Sequence, residues 1–233
     1  MKILALDTTA EVCTVAVCED DQLISEITVN TGNTHSQTLL PAVEQALKIA
    51  ELNVNDIDAF ACSSGPGSFT GVRIGVATIK GLAYGKNKPC VSVSSLDGLA
   101  HNLIDFNGII CSVMNARRNQ VYNALYRCTN GVIERLCPDR AISIDELDEE
   151  LSGYNEPIYL CGDGYDITQR IAKKTKFEYV AYKNRLQNAY SVASCALKKI
   201  QAGDVLDDSS LVPIYLRPSQ AERERLEKLK SNV

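Results

Sequence analysis

Clustered apolar residues predict three short strands at the start of the chain, followed by a helix. The three apolar runs are separated by tight polar turns and cover residues 2–7, 12–18 and 23–29. Apolar residues then recur at helical spacing from residue 39 to residue 50, which predicts an amphipathic helix. Pro41 lacks an amide proton and fits the first turn, so we expect Ser36 or Thr38 to cap this helix.

The most informative stretch of the chain follows this helix. Residues 57–64 form a short apolar run of β-forming and small residues, which predicts a buried strand. The turn Gly65-Pro66-Gly67 interrupts the run, and Ser68 or Thr70 can cap the helix that comes next. The sequence therefore predicts a strand, a tight glycine turn and a helix in immediate succession.

The helix predicted at residues 71–85 has two apolar faces. At about 100° per residue, one wide arc collects the glycines and three larger residues: Gly71, Ile74, Gly75, Thr78, Gly81, Leu82 and Gly85. A narrower aliphatic arc contains Val72, Val76, Ile79 and Ala83. Each glycine inside a helix costs about 1 kcal/mol relative to alanine, so the glycine arc indicates close packing against another backbone. That backbone belongs either to the same domain or to a partner subunit, and the sequence leaves both alternatives open.

The second half of the chain repeats this order of elements after a boundary at residues 106–108. A strand at residues 90–93 and a short helix at 96–103 complete the first half. Strand patterns in the second half cover residues 109–114, 120–127, 132–136 and 157–161. Helix patterns cover residues 165–174 and 191–201, and Ser143 forms a capping box with Glu146 at the start of an acidic helix. Residues 211–216 have a strand pattern, and Pro213 within it restricts the strand to a sheet edge because proline donates no backbone hydrogen bond.

The order strand-strand-strand-helix-strand-helix, found twice, indicates a duplicated α/β unit. Two such lobes that face each other form the actin-like, RNase H-like (ASKHA) fold, in which a nucleotide commonly lies in the cleft. We therefore predict an N-terminal lobe at residues 1–105, a degenerate C-terminal lobe at 106–217 and a charged helix at 218–233.

Composition narrows the functional classes. The formal net charge of −5 argues against a stand-alone nucleic-acid binder, so any RNA role needs a partner that supplies most phosphate contacts. Nine cysteines are scattered without a C-x-x-C pair, and the two histidines, His35 and His101, lack metal-ligand spacing. This spacing predicts no metal site, and we expect no cofactor. We expect a cytoplasmic protein, because no signal-peptide pattern and no apolar run of membrane-spanning length is present.

Four segments of the chain resemble the TsaB/YeaZ family: M-K-I-L-A-L-D-T-T, T-H-S-Q-T-L-L-P, S-S-G-P-G-S-F-T-G-V-R-I-G and P-I-Y-L-R. The glycine-rich segment is the most specific, and the resemblance extends over most of the chain. It implies a role in forming threonylcarbamoyladenosine at position 37 of tRNAs that read codons beginning with A. In that family, the related TsaD subunit transfers the threonylcarbamoyl group, and TsaB supports it together with the ATPase TsaE.

The resemblance also implies that this chain lacks the catalytic metal site. The TsaD relatives carry a V-N-H-L-E-G-H motif whose two histidines hold a metal ion, and here the same place reads V-S-S-L-D-G-L. Ser95 and Leu99 stand where the histidines would be, and neither side chain replaces imidazole as a metal ligand.

A weaker signal lies in the first hairpin, where actin-like ATPases place a phosphate-binding loop. The usual glycine after Asp7 is missing, so an intact nucleotide cradle is not expected. Hydroxyl and amide groups near two turns remain candidates for binding an anion. These candidates are Asp7, Thr8, Thr9, Gly65, Gly67 and Ser68.

The leading hypothesis is a non-catalytic scaffold that docks TsaD through the helices at residues 36–52 and 71–85 and also pairs with itself when TsaD is absent. The predicted contact residues are Leu39, Val43, Leu47, Gly71, Ile74, Gly75, Thr78, Gly81, Leu82 and Gly85. Leucine at Gly75 or Gly81 should separate the subunits and leave the monomer folded. tRNA contact is expected only indirectly, through the complex. The alternative is an actin-like phosphotransferase or a glycoprotease-type metallopeptidase, which Mg-ATP stabilisation or bound metal would support.

Overall fold

The computed structural model describes residues 1–217 and contains two β-sheets with helices packed on them. The charged helix predicted at residues 218–233 lies outside the described residues. Within residues 1–217, no helix is both long and apolar enough to cross a membrane.

The first sheet has five strands in the spatial order β3-β2-β1-β4-β5. These strands are β1 (Lys2–Asp7), β2 (Cys13–Glu19), β3 (Gln22–Val29), β4 (Ala59–Ser63) and β5 (Cys90–Val93). The first three are antiparallel, whereas β4 and β5 run parallel to β1. The helices of this half are α1 (His35–Ile49), α2 (Phe69–Ala83) and α3 (Ser95–His101).

The second sheet repeats this plan. Its strands are β6 (Gly108–Asn115), β7 (Gln120–Thr129), β8 (Val132–Arg135), β9 (Arg140–Ser143), β10 (Ile158–Cys161) and β11 (Phe177–Glu178). The spatial order β8-β7-β6-β10-β11 matches β3-β2-β1-β4-β5 position by position, which confirms the predicted duplication and the actin-like fold. The sequence missed β9, which pairs with the start of β7, and the short edge strand β11.

Helices cover both faces of the first sheet. The remaining helices are α4 (Ile144–Leu151), α5 (Tyr165–Ile171) and α6 (Ala189–Gln201). Along β1, Leu4 and Leu6 face the core shared with α1 and α2, whereas Ile3 and Ala5 face α6. Both faces are buried because side chains alternate across a strand, which explains why β1 is apolar at successive positions.

The chain returns to the first sheet after completing the second, unlike the predicted second lobe at residues 106–217. Helix α6 packs on β1, β2, β4 and β5. Leu206 then pairs with Cys90 of β5, and the buried Leu211 joins the core beneath α2. The predicted boundary near residue 106 does fall between α3 and β6, but α6 and the segment after it belong to the first lobe.

The start of α1 differs from the sequence prediction. The helix begins at His35, and the carbonyl oxygen of Thr34 accepts a hydrogen bond from the Gln37 amide at 2.9 Å. Pro41 therefore lies inside the helix, not in its first turn, and the predicted caps Ser36 and Thr38 are wrong. A tertiary contact accompanies the earlier start, because His35 Nε2 lies 2.7 Å from the Ala10 carbonyl oxygen.

The edge strand predicted at residues 211–216 is also wrong. This segment is irregular and follows α2 toward the second lobe. The Lys80 ammonium donates hydrogen bonds to the carbonyl oxygens of Ser209 and Leu211, at 2.8 and 3.0 Å. The Ile214 amide donates to the Ser64 carbonyl oxygen at 2.7 Å. Isolated hydrogen bonds from Lys80 and from the Ile214 amide thus hold this segment in place of the regular backbone hydrogen bonds of a strand.

Helix α5 ends at Ile171, before the predicted end at residue 174. The buried Asp148 carboxylate accepts hydrogen bonds from the amides of Lys173, Lys174 and Thr175 at 2.7 to 2.9 Å. These bonds lower the pKa of Asp148, although partial burial acts in the opposite direction. The amides thereby gain partners outside the helix, so a local turn competes with helix continuation.

Candidate docking face and interlobe cleft

The first half of α2 packs against the chain's own first hairpin. A Cβ atom on Gly75 would lie 2.7 Å from Thr8 Oγ1 and 3.1 Å from Leu6 Cδ1. At Gly71, a Cβ atom would overlap the carbonyl oxygen of Thr8. Thr8 Oγ1 also donates a hydrogen bond to the Gly71 carbonyl oxygen at 2.7 Å. These two glycines therefore serve close packing within the first lobe.

The second half of α2 and the residues just after it are open, and Gly85 lies after the helix and not inside it as predicted. Neither Gly81 nor Gly85 has an atom outside its own local backbone within 4 Å of an added Cβ, and both residues are exposed. Ile74, Thr78 and Leu82 are half-buried at the edge of this surface. The narrower arc of Val72, Val76, Ile79 and Ala83 is buried in the core, as the sequence predicted.

Helix α1 buries three of the predicted contact residues. Leu39, Val43 and Leu47 lie in the core against the first sheet and so cannot touch a partner in this conformation. Two apolar residues of α1 are exposed instead, Leu40 at 58% and Ile49 at 55%. They are nine residues apart and so lie on opposite flanks of the buried stripe. We call the exposed surface of α1, together with α2 from Ile74 onward and the two residues after it, the docking face. It comprises Leu40, Ile49, Ile74, Ala77, Thr78, Gly81, Leu82, Tyr84 and Gly85. Tyr84 is 78% exposed at the end of α2.

The polar groups of the first hairpin mainly satisfy one another. Asp7 Oδ1 accepts hydrogen bonds from the amide and the hydroxyl of Thr9, both at 2.7 Å. Asp7 Oδ2 accepts one from Ser63 at 2.5 Å. Burial raises the pKa of Asp7, although these hydrogen bonds act in the opposite direction. The Asp7 carboxylate would also repel an anion in this turn, because it is directed into the same hydroxyl cluster.

The glycine turn before α2 also uses its polar groups internally. The Ser68 amide donates to the Thr9 carbonyl oxygen at 2.7 Å, and Ser68 Oγ accepts from the Gly71 amide at 3.3 Å. A Cβ on Gly67 would collide with Thr9, and one on Gly65 would overlap the Ile214 carbonyl. The six predicted anion-binding residues thus meet in one place, but as a packed junction between the hairpin, the turn and the last described segment.

A cleft of about 470 Å³ lies between the two lobes, beside this junction. Its walls include Glu11 and Thr70 from the first lobe, and Arg117 and Asp163 from the second. Desolvation in the cleft raises the pKa of Asp163 to about 6, and the charges of Glu11 and Asp7 add to this effect. The Asp163 side chain still contacts the cleft solvent. The cleft therefore carries both signs of charge and a carboxyl group that titrates in mild acid.

The segment 214–217 lines the mouth of the cleft, which the sequence analysis missed. Tyr215 stacks on Phe69 of α2 with ring centroids 4.7 Å apart. The Arg73 guanidinium lies 3.9 Å from the Phe69 ring centroid and donates to the Tyr215 hydroxyl at 2.8 Å. Arg217 reaches the second lobe and donates to Gln120 Oε1 at 2.5 Å. The P-I-Y-L-R motif thus connects α2 with the second lobe.

The residues at the positions of the family's metal-binding histidines are buried in α3. Ser95 and Leu99 have no solvent exposure beyond 1%, and Leu99 Cδ1 lies 3.0 Å from an added Cβ on Gly162. Within residues 1–217, no group of three or more His, Cys, Asp or Glu side chains could hold a metal ion. His101 contacts Cys195 Sγ at 3.1 Å and Lys198 Nζ at 3.1 Å, and burial lowers its pKa.

Sequence comparisons agree with these features. The TsaD family model, described as tRNA N6-adenosine threonylcarbamoyltransferase, matches residues 23–223. The tRNA threonylcarbamoyladenosine biosynthesis protein TsaB of Bacillus subtilis (strain 168) is 32% identical over 232 residues, covering 99% of this chain and 100% of that protein. The protein of the same name from Escherichia coli (strain K12) is 29% identical over 224 residues, covering 95% of this chain and 96% of that protein.

Two solved structures from Pseudomonas aeruginosa share the fold. One, an uncharacterized protein with similarity to peptidase YEAZ, has a TM-score of 0.81 at 26% identity, covering 93% of this chain and 99% of that chain. The other, YeaZ, has a TM-score of 0.79 at 25% identity, covering 92% of this chain and 99% of that chain. The duplicated topology, the glycine turn and these full-length matches lead to one assignment: the chain belongs to the TsaB family of tRNA threonylcarbamoyladenosine biosynthesis proteins.

Proposed function

We propose that this protein is a non-catalytic scaffold and activator subunit of a threonylcarbamoyl-transferase complex, and that it docks a TsaD-type subunit through its docking face. The observation that carries the proposal is the outward surface of α1 and α2. It exposes the large apolar side chains of Leu40, Ile49 and Tyr84, and at Gly81 an added Cβ meets open space. Large exposed apolar side chains beside small residues are typical of a surface that another protein covers.

A supporting role is consistent with the buried residues of α3. Ser95 and Leu99 replace the two histidines that the TsaD motif places at these positions. Leu99 is packed in the hydrophobic core of the second lobe, and Ser95 is buried at the start of the helix. The leucine side chain has no atom that can bind a metal ion, and the neutral serine hydroxyl is a poor ligand for a catalytic cation. The catalytic step is therefore assigned to the partner.

The proposed role includes three further partners and a compartment. A TsaE-type ATPase joins the complex, and the docking face pairs two copies of this chain when the TsaD-type subunit is absent. Because the chain carries a net charge of −5, most contacts to tRNA phosphates come from the other subunits of the complex. The protein acts in the cytoplasm. Docking acts by population shift: the partner's active conformation binds the docking face more tightly and so becomes more populated.

Calorimetric titration with the TsaD-type protein of the same organism tests the docking face. Wild type should bind saturably, and Gly81→Leu should weaken binding at least about tenfold because the new side chain blocks close approach. Gln169→Leu, which places a leucine on the exposed side of α5 away from the docking face, should bind like wild type. No binding by wild type, with or without nucleotide, would refute the scaffold role. Equal binding by wild type and Gly81→Leu would remove the docking face from the interface.

A further inference from the structure

The segment from α5 to α6 concentrates positive charge on an acidic protein. Residues 170–185 contain six basic side chains and one carboxylate, although the whole chain carries a formal charge of −5. The segment includes β11, which is the outer edge strand of the second sheet. Local charge, more than net charge, decides which polyanion a surface attracts, because the Debye length at physiological salt is only about 8 Å.

Two lysines of this segment have no partner among residues 1–217. Lys176 precedes β11 and Lys183 follows it, both exposed, and neither has an ion pair or hydrogen bond within residues 1–217. By contrast, Lys174 is paired with Glu149 of α4, and Lys173 Nζ donates to the Arg170 carbonyl oxygen at 2.7 Å. Lys176 and Lys183 therefore keep their charges available to an external anion.

Two exposed tyrosines lie between these lysines. Tyr179 is 76% exposed and Tyr182 is 62% exposed, which is unusual for aromatic side chains in a folded domain. The backbone that presents them is ordered by internal contacts. Arg185 lies 3.7 Å from the Tyr165 ring centroid and 5.9 Å from that of Tyr179, and its Nε donates to the Val180 carbonyl oxygen at 2.7 Å.

This edge is separate from the docking face, and the chain that follows it contacts the loop that carries Asp163. The Gly162 amide, next to Asp163, donates to the Arg185 carbonyl oxygen at 2.7 Å. The docking face lies on α1 and α2, which pack on the first sheet. A ligand at the second-lobe edge would thus leave the docking face free for a protein partner.

We propose that Lys176, Tyr179, Tyr182 and Lys183 form a direct tRNA-contacting surface, where lysines bind phosphates and a tyrosine stacks on an unpaired base. The inference rests on the proposed function, which places a tRNA in the complex. RNA fits better than an acidic protein because exposed aromatic rings between lysines match bases between phosphates. The expectation of purely indirect tRNA contact is thereby revised: the partner supplies most phosphate contacts, and this edge adds a few.

Charge reversal tests the lysines. The complex of this chain with its TsaD-type partner is mixed with unmodified tRNA, and affinity is measured by fluorescence anisotropy over a salt series. Lys176→Glu/Lys183→Glu should weaken binding at least about tenfold and reduce the slope of log K against log salt by about two. The control is Lys2→Glu/Lys199→Glu, which changes the net charge equally on the first lobe and should bind tRNA like wild type.

Ring substitution tests the tyrosine. Tyr182→Ala should weaken tRNA binding about tenfold with an unchanged salt slope, because a stacked base loses its platform. Tyr182→Phe keeps the aromatic face and should bind like wild type. Circular dichroism and thermal unfolding of each variant establish that the fold is intact before affinities are compared.

The possible outcomes separate this proposal from the proposed function. If the variants assemble normally with the TsaD-type partner and bind tRNA with wild-type affinity, the RNA surface is refuted and the scaffold role stands. If charge reversal weakens the protein complex itself, the edge is a protein interface and the RNA assignment is wrong. If wild type fails to assemble at all, the proposed function fails first, and tRNA binding by the isolated chain then decides the surface on its own.

Discussion

The two halves of α2 carry the same glycine pattern and do different things. Gly71 and Gly75, in the half beside the cleft, pack against Thr8 so closely that a Cβ has no room. Gly81 and Gly85, two turns farther on, have open space at the same position. A stripe of glycines therefore does not by itself show where another backbone comes close, because only Gly71 and Gly75 meet one within this chain.

The two halves of α2 need different test variants. Leucine at Gly75 is not a clean interface variant, because it strikes Thr8 and Leu6 inside the lobe. Gly75→Leu is therefore expected to destabilise the monomer itself, whereas Gly81→Leu is still predicted to leave the monomer intact. The following variants test the two halves of α2 and the neighbouring cleft, in order of decreasing expected effect on stability.

Gly75→Leu should lower the free energy of unfolding by about 3 kcal/mol, because overpacking forces the first hairpin to shift. Denaturant unfolding of the purified monomer measures this change. Ala77→Leu is the matched control, since Ala77 is exposed two residues farther along the same helix. A Gly75→Leu unfolding free energy within about 0.5 kcal/mol of wild type would show that the inward contact is wrong.

Thr8→Val should lower the free energy of unfolding by about 1 kcal/mol, because it removes the buried hydrogen bond to the Gly71 carbonyl oxygen. Thr8→Ser keeps the hydroxyl and should restore part of this loss. The same denaturant unfolding assay measures both variants. If valine is tolerated better than serine, packing and not the hydrogen bond holds the first half of α2.

Asp163→Asn should stabilise the protein at neutral pH by up to about 1 kcal/mol, an upper value because the side chain contacts solvent. Desolvation raises the folded pKa of Asp163 to about 6 from its ordinary value of 3.8, so the folded state holds this proton more tightly than the unfolded chain does. The stabilisation from that proton is complete below the unfolded pKa and is lost as pH rises through about 6.

Thermal unfolding of wild type and Asp163→Asn across this pH range measures the effect. The difference between the two proteins should be largest near neutral pH and should vanish below about pH 4. Binding at the docking face should show no matching pH dependence, since Asp163 lies in the cleft. A constant difference at every pH would mean that Asp163 has an ordinary pKa in the folded state.

Gly81→Leu should have the smallest effect on stability, a gain of up to about 1 kcal/mol, because leucine favours helix more than glycine does and meets no neighbour. Denaturant unfolding measures the gain, beside the partner titration described above. A marked loss of stability in the isolated monomer would show that the second half of α2 is packed and not open.

Much of the fold was predictable from local signals. Runs of apolar residues located the strands, because a strand covered on both faces has few polar positions. The capping box at Ser143 and Glu146 marked the start of α4, with both reciprocal hydrogen bonds formed. The missed strand β9 has four half-buried residues and begins with Arg140, so it lacks an apolar signal of its own.

The candidate site was predicted less completely. Helical periodicity correctly grouped the aliphatic face of α2, but it assigned Leu39, Val43 and Leu47 to a partner when the first sheet buries them. A periodic apolar stripe looks the same whether a sheet or another subunit covers it. The segment 214–217 was recognised as a motif, yet its contact with Phe69 and Gln120 depends on residues far away in sequence.

The sequence by itself determined the duplicated order of elements, the family resemblance and the replacement of two histidines by Ser95 and Leu99. These properties depend only on residue identity and short-range spacing. The tertiary structure alone decided that α6 returns to the first sheet, that Gly75 faces Thr8 while Gly81 faces solvent, and that Tyr179 and Tyr182 stay exposed. The physical reason is that burial depends on which distant segments meet, and local periodicity carries no record of that.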